Sequence, residues 1–366
     1  MFSLFKRKSA TEGETTFKQR VRDFWGWYAE VGPRFFQTIE AGECQNLITE
    51  TSAHVDKLFP DFAWVFGTGA GGEGHSFTLS GEGVSHRQLL TRFWHSQAPR
   101  LDGWTFYPAR QPGSIKGMEM EIGGQKFKPT EFWLVPTINE QSKKVHIIAW
   151  HPLFSVLGRK DCLSALFLFL DEVLGEYGTG QWIGEIKLGE EKMGDAIPLE
   201  ELPAYIKKLE IEKGWKKLPP GETATGYQLK ERHRELPRGD IITGTTMHPH
   251  LINEYLANDA NLADPLAGTG ADFVYVVFDA KMLPQGKQVQ VRGEIEGILD
   301  KQLRSSSNGQ LIGGAMVIEN AYIDLLLFDG AESINTVRKV LVEQNLPAGT
   351  AIHYFAREKR GHRIVL

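Results

Sequence analysis

Apolar residues recur along the start of the chain at helical spacing. Phe17, Val21, Phe24 and Tyr28 are separated by Lys18, Arg20, Arg22 and Asp23, which predicts an amphipathic helix. Gly32-Pro33 is expected to break it. A second helix carries Leu47, Ile48, Val55, Leu58 and Phe59, and Pro60 closes it. A hairpin follows, Phe62 to Phe66 and Ser76 to Ser80, across the glycine-rich stretch Gly67 to Gly74. The next helix, about Ser85 to Gln97, presents Leu89, Leu90, Phe93 and Trp94. Met118 to Ile122 alternates and meets Gly123-Gly124, a hairpin-turn dipeptide, and Glu131 to Val135 and Val145 to Trp150 form a further strand pair. The helix from about Asp161 to Leu174 is apolar on most sides, which predicts a core position, with Gly175 as its cap. Gln181 to Leu188 alternates as a last strand.

The character changes after residue 190. Glu190-Glu191-Lys192, Lys207-Lys208 and Pro219-Pro220-Gly221 make a charged, proline-bearing stretch with one short helix that Pro203 is placed to start. Beyond it, Asp240 to Gly244 is a short strand candidate and His250 to Leu256 a helix candidate. Phe273-Val-Tyr-Val-Val-Phe-Asp279 then alternates and is followed by a helical pattern in Val291, Ile295, Leu299 and Leu303. Strand patterns at Gln310 to Met316 and Ala321 to Asp329, a helical pattern in Ile334, Val337, Val340 and Leu341, and a strand pattern at Thr350 to Ala356 complete β-α-β-β-α-β, the split βαβ of ferredoxin-like folds. The fold class expected is α+β in two domains. An N-terminal α+β domain with a mainly antiparallel sheet spans 1–192. A linker spans 193–222, and a C-terminal domain spans 223–366 with the ferredoxin-like unit at about 271–366. Period two sets the register of the central strand: Ile323, Leu325 and Leu327 should face the helices, and Tyr322, Asp324 and Phe328 the other side.

Composition narrows the setting. The chain has 366 residues, 41% hydrophobic and 24% charged, with a formal net charge of -5, so nothing global draws it to nucleic acid or anionic lipid. Two cysteines, Cys44 and Cys162, fit a reducing compartment, with Cys162 expected as a buried thiol. Met1 to Lys8 lacks the apolar run of a signal peptide, and Leu163 to Leu170 is too short to span a bilayer. The expected location is the cytoplasm.

Chemistry finds little purchase. Gly67-Thr-Gly-Ala-Gly-Gly72 matches a dinucleotide-binding pattern, yet a strand pattern follows where the pyrophosphate needs a helix N-terminus. His248-Pro-His250, with Glu254 or Asp259, supplies too few ligands for zinc. Glu119 and Glu121 share the outward face of a strand. No catalytic, metal-ligating or cofactor-binding residue is singled out. His146, His151, His248 and Arg110 are the polar residues to inspect between domains. At the end of the sequence Arg357, Lys359, Arg360, His362 and Arg363 form a basic run interrupted by Glu358. Asp324 beside Tyr322 and Phe328 opposes a nucleic-acid backbone on that face.

Phe24-Trp25-Gly-Trp27-Tyr28, then Ser96-Gln-Ala-Pro-Arg-Leu-Asp-Gly-Trp104-Thr-Phe-Tyr107 with Arg110 after it, resembles an N-terminal module of uncharacterised bacterial proteins. The resemblance covers roughly the first 190 residues and implies no activity. The C-terminal unit is similar in architecture alone to a small regulator that inhibits ribonuclease E. The expected role is therefore a non-enzymatic bacterial cytoplasmic factor that binds another protein, as a regulator, adaptor or immunity-like factor. Its candidate interaction residues are Tyr322, Asp324, Phe328, Arg357, Lys359 and Arg360. The alternative is a small-ligand binding protein or enzyme with an interdomain site, and the third reading an RNA-associated regulator. No cofactor and no membrane is expected.

Overall fold

The computed structural model of the chain describes residues 15–216, 218–229, 237–316 and 319–366. The Met1–Lys8 segment lies outside the described residues. Helices and mixed sheets make an α+β protein, and among the described residues no helix is long and apolar enough to cross a membrane.

Two compact units form, and neither is one continuous stretch. The first takes the residues up to Asp61, Gln97–Leu101 and Gly221–Leu366; the second takes Phe62–Ser96 and Asp102–Pro220. This differs from the contiguous division at 192 and 222, for two reasons of packing.

The opening helix, α1 (Phe17–Glu40), belongs with the C-terminal sheet. Its buried stripe is the expected one, Phe17, Val21, Phe24 and Tyr28. The Phe17 ring lies 5.8 Å from Phe59 and 6.2 Å from Phe328. The Phe17 amide donates to the Gly270 carbonyl at 3.0 Å and the Lys18 amide to that of Phe328 at 2.9 Å. Thr16 caps the helix, accepting from the Gln19 amide, and its hydroxyl donates to Asp329 at 2.9 Å. Gly32-Pro33 does not end α1: the helix runs on to Glu40 with Pro33 inside it. The lost amide donor is offset by packing beyond the proline, where fully buried Phe35 meets Trp27 at 5.7 Å. Helix α2 (Ile48–Leu58) stacks His54 on Trp27 at 3.9 Å.

The second reason is that the expected linker sends a row of side chains into a core. Leu199, Leu202, Ile206, Leu209 and Trp215 join Phe132, Leu134, Leu166 and Phe169 in one cluster of the second unit. The short helix there, Leu202–Lys213, does begin with Pro203 in its first turn, and Gly214 ends it in the left-handed region. Charge on one face of this stretch hid an apolar stripe on the other. The second unit carries three sheets rather than one, the smallest a two-stranded pair of Met120–Ile122 with Gln125–Phe127. The hairpin Ala63–Thr68 and His75–Ser80 is joined in parallel by Trp104–Tyr107. The largest of the three orders Ile183–Leu188, Lys144–Trp150, Trp133–Asn139 and Ile197–Pro198, its first pair parallel. The loop from Gly67 enters strand His75–Ser80, not a long helix. Cys162 is buried, on the core face of helix Arg159–Leu174. Phe167 and Leu168 of that helix are exposed, so it is apolar on one face rather than enclosed.

The C-terminal part of the first unit is built in the order β1 (Thr225–Gln228), β2 (Thr243–Thr246), α3 (Pro249–Ala257), β3 (Asp272–Asp279), α4 (Gln288–Ser305), β4 (Gly309–Met316), β5 (Asn320–Leu327), α5 (Gly330–Glu343), β6 (Ala351–Tyr354) and β7 (Ile364–Val365). The sheet has seven strands, ordered β1-β2-β4-β5-β3-β6-β7, instead of the four expected. The additions are at its edges. Thr243-Gly-Thr-Thr246 pairs with Gly313 to Met316, where small residues let the strands meet. All pairs in this sheet are antiparallel, and β5 is central. On one face Ile323, Leu325 and Leu327 meet Ile295, Leu299 and Leu303 of α4 and Ile334, Val337 and Leu341 of α5. Each such side chain contributes about 1.5–3 kcal/mol on burial. The register inferred from period two is the one observed.

Candidate functional site

The opposite face of that sheet is polar in its middle, yet covered. Asp324 of β5 stands directly across from Tyr275 of β3 on one side and Gly313 of β4 on the other, and Tyr275 stands across from His353 of β6. Opposed residues of an antiparallel pair share a face, so one row runs Gly313, Asp324, Tyr275, His353. Gly313 is required there: it has φ +155°, and a Cβ would press into the Thr245 carbonyl.

Asp324 is fully buried, and Arg238 is 3% exposed. The guanidinium meets the carboxylate through both terminal nitrogens, Nη1 to Oδ1 and Nη2 to Oδ2, the latter at 3.0 Å. A two-point pair of this kind fixes orientation as well as charge. Three rings surround the guanidinium, with centroids at 4.9 Å (Tyr322), 5.0 Å (Tyr275) and 5.1 Å (Phe355). Burial works against the Arg238 charge, but the Asp324 carboxylate holds its pKa above the ordinary value. The backbone of Arg238 sits at φ +61°, which costs free energy for a residue with a side chain. The chain accepts that strain where it delivers the guanidinium onto Asp324.

A cavity of about 390 Å³ opens beside this pair. Its walls include Tyr255 of α3, Tyr275, Tyr322, His353 and Asp240, and its lining takes in Arg360 and Arg363. Asp240 accepts from the Tyr322 hydroxyl at 2.7 Å and from Asn320 Nδ2 at 2.9 Å. The Tyr255 and Tyr275 hydroxyls are 3.5 Å apart. His353 stacks on Tyr275, centroids 5.2 Å apart and planes at 8°. Burial raises the pKa of all three tyrosines, so each hydroxyl keeps its proton as a donor. Burial, helped by Arg363, lowers that of His353 and favours the neutral ring. Arg360 donates to the Ala260 carbonyl. Among the described residues Arg363 has no hydrogen bond or ion pair.

The candidate interaction residues separate accordingly. Tyr322, Asp324 and Phe328 are buried and cannot meet a partner on an open sheet face, because α3, Arg238 and Phe17 cover it. Arg357 is exposed and pairs with Glu358 at 2.9 Å; Lys359 is shared between Asp272 and Asp264, the latter at 3.4 Å. The structure brings together Tyr322, Asp324 and Arg360 of that set. Arg238, Asp240, Tyr255, Tyr275 and His353 were missed by the sequence. Tyr275 and Asp324 share the face of the central strands turned away from the helices, and a carboxylate enclosed there requires a cation, a signal that the sequence reading did not follow to an arginine.

The histidines serve local structure. Nδ1 of His248 accepts from the Leu251 amide at 3.5 Å and caps α3. Nδ1 of His151 accepts from the Leu153 amide at 3.1 Å, and Nδ1 of His146 from that of Glu185 at 2.7 Å. His250 is exposed and 3.3 Å from Glu254. Among the described residues no three His, Cys, Asp or Glu side chains are grouped to hold a metal ion.

The second unit has its own buried carboxylate. Glu176, 2% exposed, accepts from Ser80 Oγ at 2.8 Å, Gln88 Nε2 at 2.9 Å, the Gly83 amide at 3.0 Å and the Arg110 amide at 3.3 Å. The Arg110 guanidinium itself pairs with Glu82. Asp171 stands nearby, its pKa pushed up to about 6 by burial, with Glu176 adding to the rise and a Thr179 hydrogen bond opposing it.

Comparison of the chain with models of known families, with curated proteins and with solved structures finds no match.

Proposed function

We propose that this protein is a non-enzymatic binding protein that holds a small polar molecule in the cavity of its C-terminal sheet. The observation that carries the reading is the cavity itself, a recess of about 390 Å³ over a fixed ion pair, walled by phenols, an imidazole and guanidinium groups. Pockets that orient a ligand with a few convergent polar groups on a rigid scaffold are the usual form of small-molecule sites. Binding fits better than proton transfer, because Arg238 is locked to Asp324 and the tyrosines are held protonated. The run β3-α4-β4-β5-α5-β6, all antiparallel with β5 and β3 central, supports reading this part as a ferredoxin-like unit extended at both edges. The cytoplasmic setting and the kinship of the first 190 residues with an uncharacterised bacterial family belong to the same proposal. Docking to a protein partner ranks second, since half of its expected contact residues are interior.

The test is a thermal-shift and calorimetric survey of the full chain against small neutral, cationic and anionic compounds. A parallel survey uses Val277→Trp, which places a large ring in the cavity lining. Hits that the variant loses while keeping its circular dichroism spectrum support the reading. Hits that bind both proteins equally, or no hits in any class, would refute it.

A further inference from the structure

We infer that the molecule held in this cavity is a small phosphomonoester, its phosphate placed by Arg360 and Arg363. The inference rests on the small-ligand reading above and adds the chemical class.

Charge is the first argument. The cavity lining contains three guanidinium groups and, among the described lining residues, a single carboxylate. Arg238 is neutralised by Asp324 beneath it. Asp240 has both oxygens engaged, Oδ1 by Tyr322 and Oδ2 by Asn320. Arg360 is held by a backbone carbonyl only, which leaves its charge uncompensated, and Arg363 is unpaired among the described residues. With Arg238 offset by Asp324 and the Asp240 charge set against Arg360 and Arg363, the recess keeps a net positive charge, which attracts an anion.

The number of donors separates phosphate from carboxylate. A carboxylate offers two oxygens, and a single arginine meets both with its two-pronged fork. A phosphomonoester has three terminal oxygens and a charge of about -1.5 to -2 near neutral pH, matched to two guanidinium groups. The Tyr322 proton goes to Asp240 and one proton of the Tyr255–Tyr275 pair lies between those two hydroxyls, which leaves one phenol donor and the phenol oxygens as acceptors for hydroxyl groups on the body of the ligand.

Size is the third argument. A water occupies about 30 Å³ in the liquid, so 390 Å³ exceeds what a bare inorganic ion fills and suits a sugar phosphate or a nucleoside monophosphate. The body would lie against Tyr275, Tyr322 and His353.

Isothermal titration calorimetry on the full chain tests this with inorganic phosphate, ribose 5-phosphate and adenosine 5′-monophosphate, beside ribose and adenosine. The phosphorylated compounds are expected to bind at least about tenfold more tightly than their unphosphorylated counterparts. Arg363→Ala should erase most of that preference. Arg360→Ala should do so too, but it also removes the bond to Ala260, so Arg363→Ala is the deciding variant. If neutral compounds bind as tightly as the phosphorylated ones and Val277→Trp abolishes both, the phosphate assignment is wrong while the cavity reading stands. If phosphate binding survives Val277→Trp unchanged, the ion sits elsewhere and the inference falls. If no probe and no compound of the wider survey binds, the small-ligand reading falls with it.

Discussion

Asp324 and Glu176 are both carboxylates removed from water, and the two units stabilise them by opposite means. Asp324 is matched by one cation, delivered from a residue 86 positions earlier and enclosed by aromatic rings. Glu176 is matched by four hydrogen-bond donors spread over a strand, a turn, a helix and a loop, and among the described residues no guanidinium or ammonium is bonded to its oxygens. A single counter-ion concentrates the stabilisation in one partner and leaves neighbouring space open, which is where the cavity lies. Distributed donors share the stabilisation and tie several elements together. The first arrangement leaves room beside the pair, and the second ties four segments to one carboxylate.

The contrast predicts a graded set of responses. The largest follows Arg238→Met, which leaves Asp324 buried and unpaired; the cost is about 3–5 kcal/mol, read as a lower urea midpoint. Adding Asp324→Leu should restore most of that stability, because apolar replacement of both members of a buried pair is often neutral. A double variant as unstable as the single one would show that the rings, not the charge, set the requirement.

Glu176→Gln should cost less, about 1–3 kcal/mol. All four neighbours donate to the carboxylate, so the new amide nitrogen must face donors. Ser80 can turn its hydroxyl and Gln88 its amide to accept, whereas the Gly83 and Arg110 backbone amides can only donate. An unchanged urea midpoint would mean that the donors bind shape and not charge.

A pH dependence comes next. Because burial raises the pKa of Asp171 to about 6, the folded protein binds a proton that the unfolded chain releases near 3.8. The stability from this group is fully present below the unfolded value and is lost as pH rises through about 6. Asp171→Asn should flatten this part of the profile of melting temperature between pH 4 and 6. A slope unchanged by the substitution would assign it to another group.

The smallest effect is expected at Arg34 and Glu50, paired at 2.7 Å with both side chains well exposed. Arg34→Ala should change stability by less than about 1 kcal/mol, since solvent screens such pairs. A larger loss would blur the distinction between exposed and enclosed charge on which the comparison rests.

Local periodicity made the helix-facing side of the C-terminal sheet legible, because Ile323, Leu325 and Leu327 alternate with Tyr322, Asp324 and Phe328 in a single strand. The α+β class, the short helix begun by Pro203 and the stripe of α1 were legible for the same reason. The cover over the other sheet face was not. Nothing near Arg238 in sequence says that it reaches Asp324, and nothing near Phe17 says that it meets Phe328. The linker expectation failed because Lys207 and Lys208 mark the wet side of a helix whose dry side, Ile206 and Leu209, enters a core. The cavity draws residues from 237 to 363, so it exists only in three dimensions.

The bonds from Phe17 and Lys18 to Gly270 and Phe328 carry a consequence for how the protein is made. Helix α1 leaves the ribosome early, while its docking surface on the C-terminal sheet has yet to be translated. At about 5–20 residues per second, that helix waits roughly 15–60 s with Phe17 lacking Phe328 as its partner. The second unit, encoded entirely in between, can complete its cores during that interval. A ribosome stalled before residue 270 should therefore display a protease-resistant middle and a sensitive beginning, and a chaperone that grips aromatic helices would find its substrate there.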